Sequence, residues 1–216
     1  MKEKQALRRV FGLFAFILVV WGFYRFLFRF PETVEELILK PIVWLGAVFW
    51  VVKRLEKKPL ASLGITGKNL FKSIYWGLFL GAIFALEGLL TNYLKYGNFS
   101  FIEIAFSRAA FLGAIGLSLV TAISEETVFR GYIFNRLHRI LKSEWQANLL
   151  SAVGFALVHL PITIFVLRYS PDEILVYLWL VSLFGLGSAF VFARTGNLIS
   201  SVLMHVFWSW PIVLFR

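Results

Sequence analysis

The feature that most constrains this chain is a succession of long apolar runs broken by isolated charges. A membrane-spanning helix needs about 20 predominantly apolar residues. Seven segments reach or approach that length: 10–30, 37–52, 73–94, 109–124, 145–167, 174–193 and 195–215. The first is free of charge as far as Tyr24, beyond which Arg25 and Arg29 are expected to reach back to the interface. The second holds only Lys40, near one end; the third holds only Glu87, and the last is interrupted only by His205. The runs are too long for strands and do not alternate, so a lipid-facing barrel is a poor fit. The expectation is an all-α, polytopic transmembrane helix bundle of about seven spans, with room for an eighth helix or a re-entrant piece. It forms a single integral-membrane domain over 1–216, without a visible internal repeat or low-complexity tract. The Pro59–Asn69 loop is expected to lie along the interface.

Composition narrows the class further. Hydrophobic types make up 59% of the chain and charged types 16%, against about 45–50% and about 25% in soluble domains. That argues against a soluble globular protein and against a disordered chain. The net charge of +10 would suggest nucleic acid in a soluble protein. In so apolar a chain it marks basic loops facing anionic lipid, so the bilayer is the expected partner and nucleic acid is not. Lys2, Lys4, Arg8 and Arg9 precede the first apolar run as in a signal peptide. No small-x-small cleavage site follows that run, which is therefore read as a retained span. An N-terminus on the cytoplasmic side places twice as many Lys and Arg residues inside as outside. Cysteine is absent, which removes disulfides, thiolate zinc sites and cysteine nucleophiles.

Three places put polar groups where lipid should be, and ionisable residues there are expensive unless paired, hydrated or functional. The first is Glu125-Glu126-Thr127-Val128-Phe129-Arg130, at the expected cytosolic end of the fourth span. Glu126 and Arg130 are four apart and can pair along one helix face. Glu125 points about 100° away and lacks that partner. A carboxylate beside a second one, without a cation, suits a general base. The plainer reading is a solvated charge cluster where the helix leaves the membrane. The second place is Phe155-Ala156-Leu157-Val158-His159, with Phe155 one turn before the imidazole and Pro161 just beyond. The third is His205, with Ser209 one turn later on the same face. For both histidines the plainer reading is a hydrogen bond to a neighbouring helix. His138, among Arg136, Arg139 and Lys142, is read as a surface residue of the fourth-to-fifth loop. Gly113, Gly116, Ser118, Gly185, Gly187, Ser188 and Ala189 are read as close helix packing.

Two chemistries suit a carboxylate pair and two imidazoles converging from three spans. In one, Glu125 and His159 polarise a water while His205 and Ser209 stabilise the oxyanion at a scissile amide. In the other, Glu and His ligate zinc. HExxH is absent, yet a site assembled from separate helices stays open.

At these residues the sequence resembles the CPBP family of intramembrane proteases. That group includes the type II CAAX prenyl endopeptidases and, in bacteria, abortive-infection and bacteriocin-processing proteins. The family pattern is EExxxR, FxxxH and HxxxN or HxxxD on three successive helices. Here it reads Glu125-Glu126 to Arg130, Phe155 to His159, and His205 to Ser209, with Gly131 and the Thr195-Gly196-Asn197-Leu198 run also family-like. The resemblance covers roughly 109–216. It implies a glutamate-type intramembrane endopeptidase with Glu125 and His159 activating water. His205 and the residue four later would form the oxyanion site, and Glu126 and Arg130, with Phe155, would play supporting parts. The implied substrate is a membrane-associated or lipidated, CAAX-like protein or peptide. The implied location is the plasma membrane of a prokaryote, N-terminus cytoplasmic. No cofactor is expected, although such proteins have also been labelled metallopeptidases, which leaves zinc open. Ser209 departs from the pattern, offering one rotatable O–H where Asn offers two N–H donors. The alternative is therefore a weak or inactive member acting as a membrane immunity or scaffold factor. A transporter ranks last, because transport folds often show repeated halves.

Overall fold

The computed structural model of the protein describes residues 3–98 and 108–214. Seven helices occur among the described residues, one at each expected span, and no strand. They are α1 (Glu3–Leu27), α2 (32–55), α3 (Leu70–Tyr96), α4 (108–141), α5 (Glu144–Leu167), α6 (Pro171–Thr195) and α7 (Leu198–Leu214). Five of them (α1, α3, α4, α5 and α6) are long and apolar enough to cross a membrane. Helix α2 is wound partly with π-helical turns and carries Glu35, Glu36 and Lys40 in its first half. Helix α7 has 17 described residues. Phe215, Lys2, Arg216 and the side chain of Arg108 lie outside the described residues.

Helices begin and end where the sequence supplies the right cap. Gly97 (φ 73°) and Gly196 (φ 64°) close α3 and α6 in the left-handed region, where a side chain would be strained. Ser170 opens α6 in a capping box with Glu173, and Pro171 follows in the first turn. The hydrophobic surface is turned outward as membrane solvation requires: Phe11, Phe23, Phe71, Leu94 and Trp179 are all exposed.

The structure corrects the end of the fourth span. The chain does not leave the bundle at Glu125-Glu126; α4 runs on through a π-helical stretch, Thr127–Phe134, to Leu141. The physical reason is that Val128, Phe129, Tyr132, Ile133, Phe134 and Leu137 are all buried, so the core-facing surface continues past the acidic pair. Glu125 therefore sits near the middle of a long helix. His138 is correspondingly part of α4 and not of a loop; it is half-buried with its ring 5.7 Å from that of Phe134.

Arg136, expected in the same loop, is buried and grips Glu56 through Nη2 at 2.7 Å and Nε at 3.0 Å. The Tyr132 hydroxyl donates to the same carboxylate at 3.0 Å, and Arg136 Nη1 donates to the Ser62 carbonyl at 2.9 Å. Burial alone would raise the Glu56 pKa, but the hydrogen bonds and charge of Arg136, with the Tyr132 bond, hold it below the ordinary carboxylate value. These contacts draw residues 56–64 onto α4. A Cβ at Gly131 would meet the Leu63 carbonyl at 2.8 Å, so only glycine permits this approach. Asn197 donates to the Thr66 and Lys68 carbonyls, each at 2.8 Å, and tucks the rest of the loop against the start of α7. The loop thus plugs one end of the bundle.

Helix α3 packs on α7 through small residues. A Cβ at Gly77 would meet the Ser200 carbonyl at 2.8 Å and Leu203 Cβ at 2.9 Å. Gly185 similarly lets α6 approach Ala152 of α5, at 3.1 Å from its ideal Cβ. Gly113 and Gly116 do not share this role, since nothing described lies within 4 Å of a Cβ there.

Candidate active site

One carboxylate, Glu126, joins three helices at the centre of the bundle. It is fully buried, and Oε1 accepts from Arg130 Nη1 at 3.1 Å and from His205 Nδ1 at 2.9 Å. The carboxylate can only accept, so His205 Nδ1 is the donor. Oε2 accepts from the Ser188 hydroxyl of α6 at 2.6 Å. Arg130 spends Nη2 on the Gly185 carbonyl at 3.2 Å, and its guanidinium carbon stands 4.3 Å from the centre of the Phe155 ring. Such a cation–π contact is strengthened by exclusion of water. Phe155 in turn meets His159 edge-on at 4.7 Å and Phe129 at 5.1 Å. Glu126, Arg130 and Phe155 thus form a rigid floor on which the two imidazoles rest.

Glu125 lies above that floor and is also buried. Its Oε2 is 3.9 Å from His159 Nε2 and 3.8 Å from His205 Nε2. Both separations are too long for direct hydrogen bonds and short enough for one water to bridge. His159 Nδ1 is 2.7 Å from the Phe155 carbonyl. A carbonyl can only accept, so Nδ1 carries the proton, and in the neutral ring Nε2 presents its lone pair toward Glu125. Glu125 and His159 line a cavity of about 130 Å³ together with Lys40, Glu36, Trp44 and Tyr177.

Glu125 is not without a cation. Lys40 Nζ of α2 lies 2.9 Å from its Oε1 and 2.5 Å from Glu36 Oε2. Arg25 does not reach the interface either: it is buried, ion-paired with Glu35 and 3.6 Å from Glu36. Arg29 donates to the Phe165 carbonyl at 2.7 Å. This second network escapes the sequence reading; the spacing of Glu36 and Lys40, four apart at the edge of an apolar run, is the signal that could have found it. Ser188 gave no such signal, because a serine among glycines reads as packing.

Ser209 is placed differently. It lies one turn beyond His205, half-buried, and its hydroxyl donates to the Val206 carbonyl at 2.9 Å. It does not line the cavity of Glu125 and His159. Glu125, Glu126, Arg130, Phe155, His159 and His205 are brought together; Ser209 lies one helical turn beyond that group, with its hydroxyl engaged by Val206.

Fold and site together define a polytopic membrane helix bundle with a buried carboxylate near two imidazoles, one of which lines a small cavity with it. The sequence of residues 107–211 matches the family described as Type II CAAX prenyl endopeptidase Rce1-like. The family is one of proteases, and the matched segment is the one that carries all three motifs. No curated protein and no solved structure gives a significant match to the chain.

Proposed function

We propose that the protein is an intramembrane endopeptidase of the glutamate type, cleaving a membrane-associated or lipidated, CAAX-like substrate. The observation that carries this reading is the approach of Glu125 Oε2 to both imidazole Nε2 atoms, at 3.9 and 3.8 Å. A water between Glu125 and His159 would lose a proton to this pair as its oxygen attacks the scissile carbonyl carbon. That proton would then pass to the leaving amine nitrogen, so the products are a carboxylate and an amine. With its ring doubly protonated, His205 would turn an Nε2–H donor toward the oxyanion, Glu126 holding the other nitrogen. Ser209 would add a second donor after its hydroxyl rotates away from Val206. Arg130 and Phe155 would keep the floor rigid.

No step needs a metal, and the Lys40 ammonium beside Oε1 of Glu125 favours a metal-free reaction, since a dication there would be repelled. The N-terminus is proposed to face the cytoplasm of a prokaryotic plasma membrane. In support, Arg8, Arg9, Lys53, Arg54, Arg139 and Lys142 all lie at the helix ends that share the Glu56–Arg136 plug.

The test is cleavage of a prenylated peptide and of a single-span substrate by purified protein in detergent. Wild-type activity that Glu125→Ala and His159→Ala abolish is expected; equal rates for wild type and Glu125→Ala would sink the reading. The engagement of Ser209 with Val206 favours a second reading, a weak or inactive member acting as a membrane immunity or scaffold factor. Ser209→Asn separates the two. A rate gain of roughly 10-fold or more is expected if a donor is merely underused. An inactive wild type that Ser209→Asn does not awaken, with its cellular phenotype intact in Glu125→Ala, would support the second.

A further inference from the structure

The three motifs all lie within residues 107–211, yet they leave Glu125 without an opposite charge. Arg130 is committed to Glu126 and the Gly185 carbonyl. The cation that Glu125 does meet comes from α2, outside the matched segment. Lys40 is buried, with its ammonium 2.9 Å from Glu125 Oε1 and 5.7 Å from the ring centres of both Trp21 and Trp44. It is held from behind by Glu36 Oε2 at 2.5 Å, and Thr121 of α4 donates to that same oxygen at 2.7 Å. The loop from α4 through Thr121, Glu36 and Lys40 back to Glu125 is therefore closed. A lysine in such a place is costly unless it is paired, and here two carboxylates hold it.

Resting on the protease reading, we propose that Lys40 is a positioning residue for the water-activating carboxylate: it holds Oε1 of Glu125, so that Oε2 alone faces the imidazoles. A carboxylate free to rotate about its last torsion would offer either oxygen in many orientations. Lys40 removes that freedom with a charge-assisted hydrogen bond at one oxygen. The acid is presented in one pose against His159 Nε2 and His205 Nε2. The N-terminal part of the chain thereby completes a site whose motifs all lie in the C-terminal part. Lys40 shares the lining of the cavity and acts in this scheme through Glu125.

A purely structural role, tying α2 to α4, predicts different behaviour from the same contacts. Lys40→Gln separates the two, because its amide can still hydrogen-bond to Glu125 or Glu36 but carries no charge. Lys40→Arg keeps the charge. The experiment measures kcat and KM for both variants in detergent, beside wild type and Glu125→Ala, with monodispersity and helix content as folding controls. Lys40→Gln is expected to lower kcat about 100-fold, the scale of a misplaced reacting group, with KM within about 2-fold. Lys40→Arg is expected to recover at least about 10-fold of that loss, since the cation again holds the carboxylate. Equal impairment of the Gln and Arg variants, a Gln variant with near wild-type kcat, or one that no longer folds would each overturn the proposal and leave Lys40 as a helix tie. Failure of the protease reading looks different: wild-type protein then shows no Glu125-dependent cleavage at all, and the positioning role falls with it.

Discussion

Replacing Arg130 with methionine tests whether the bundle centre is held by a coupled ion pair or by packing alone. Arg130 is fully buried and gives up three contacts: Glu126 at 3.1 Å, the Gly185 carbonyl at 3.2 Å and the Phe155 ring at 4.3 Å. Removing one member of a buried pair typically costs about 3–5 kcal/mol, because the other charge is left uncompensated. Glu126 retains His205 Nδ1 and the Ser188 hydroxyl, so the lower end, about 3 kcal/mol, is expected. Glu126→Gln alone strands the guanidinium in the same way and is expected to cost about the same. The double variant removes both charges together. Its cost should fall short of the sum of the two singles by about 1–3 kcal/mol, the range for residues that share one network. The assay is unfolding in mixed micelles on addition of a denaturing detergent, followed by tryptophan fluorescence and helix content. Additivity within about 0.5 kcal/mol would refute the reasoning. Arg130 and Glu126 would then stabilise the bundle independently.

Three further outcomes follow from other parts of the structure. Gly77→Ala should cost about 1–3 kcal/mol in the same assay, since its methyl would meet the Ser200 carbonyl at 2.8 Å, whereas Gly113→Ala, facing open space, should be neutral or better. The Glu56 carboxyl is held below its ordinary value of 4.5, so its contribution is fully present above about pH 4.5 and is lost as pH falls through the lowered folded value. Thermal midpoints measured from pH 7 downward should show that loss, and Arg136→Gln should shrink it; an unchanged pH dependence in that variant would count against the Glu56 clamp. Finally, a strong chelator should leave cleavage within about 2-fold of the untreated rate, and stoichiometric zinc in active protein with chelator-sensitive turnover would reverse that expectation.

How far the sequence carries can be judged residue by residue. Glu126 and Arg130 were legible as a pair because four residues is a helical turn, whatever surrounds it. His159 and His205 stood out because each interrupts an apolar run. The continuation of α4 to Leu141 was not legible. Glu125-Glu126 and the basic residues after Gly131 look like a membrane exit when read as a string, since hydropathy cannot tell a charge paired inside a bundle from one facing water. Lys40 was visible only as a charge near one end of a span. Its partner is 85 residues away in the chain, and no local pattern encodes that distance. Ser209 shows the opposite limit: its spacing from His205 suits a shared site, but the structure turns its hydroxyl to Val206.

By itself, then, the sequence determined that the chain is a membrane helix bundle, that a helix lies at each of seven apolar runs and which polar groups are out of place in them. Those follow from transfer energies and helical periodicity, which act over a few turns. Only the tertiary structure decided which charge neutralises which. Arg130 serves Glu126, Lys40 serves Glu125, Arg25 serves Glu35, and the carboxylate that carries the proposed chemistry is completed by a helix from the other half of the chain. Pairing energies in a low-dielectric interior depend on distance through space, and that is fixed only once the helices have packed.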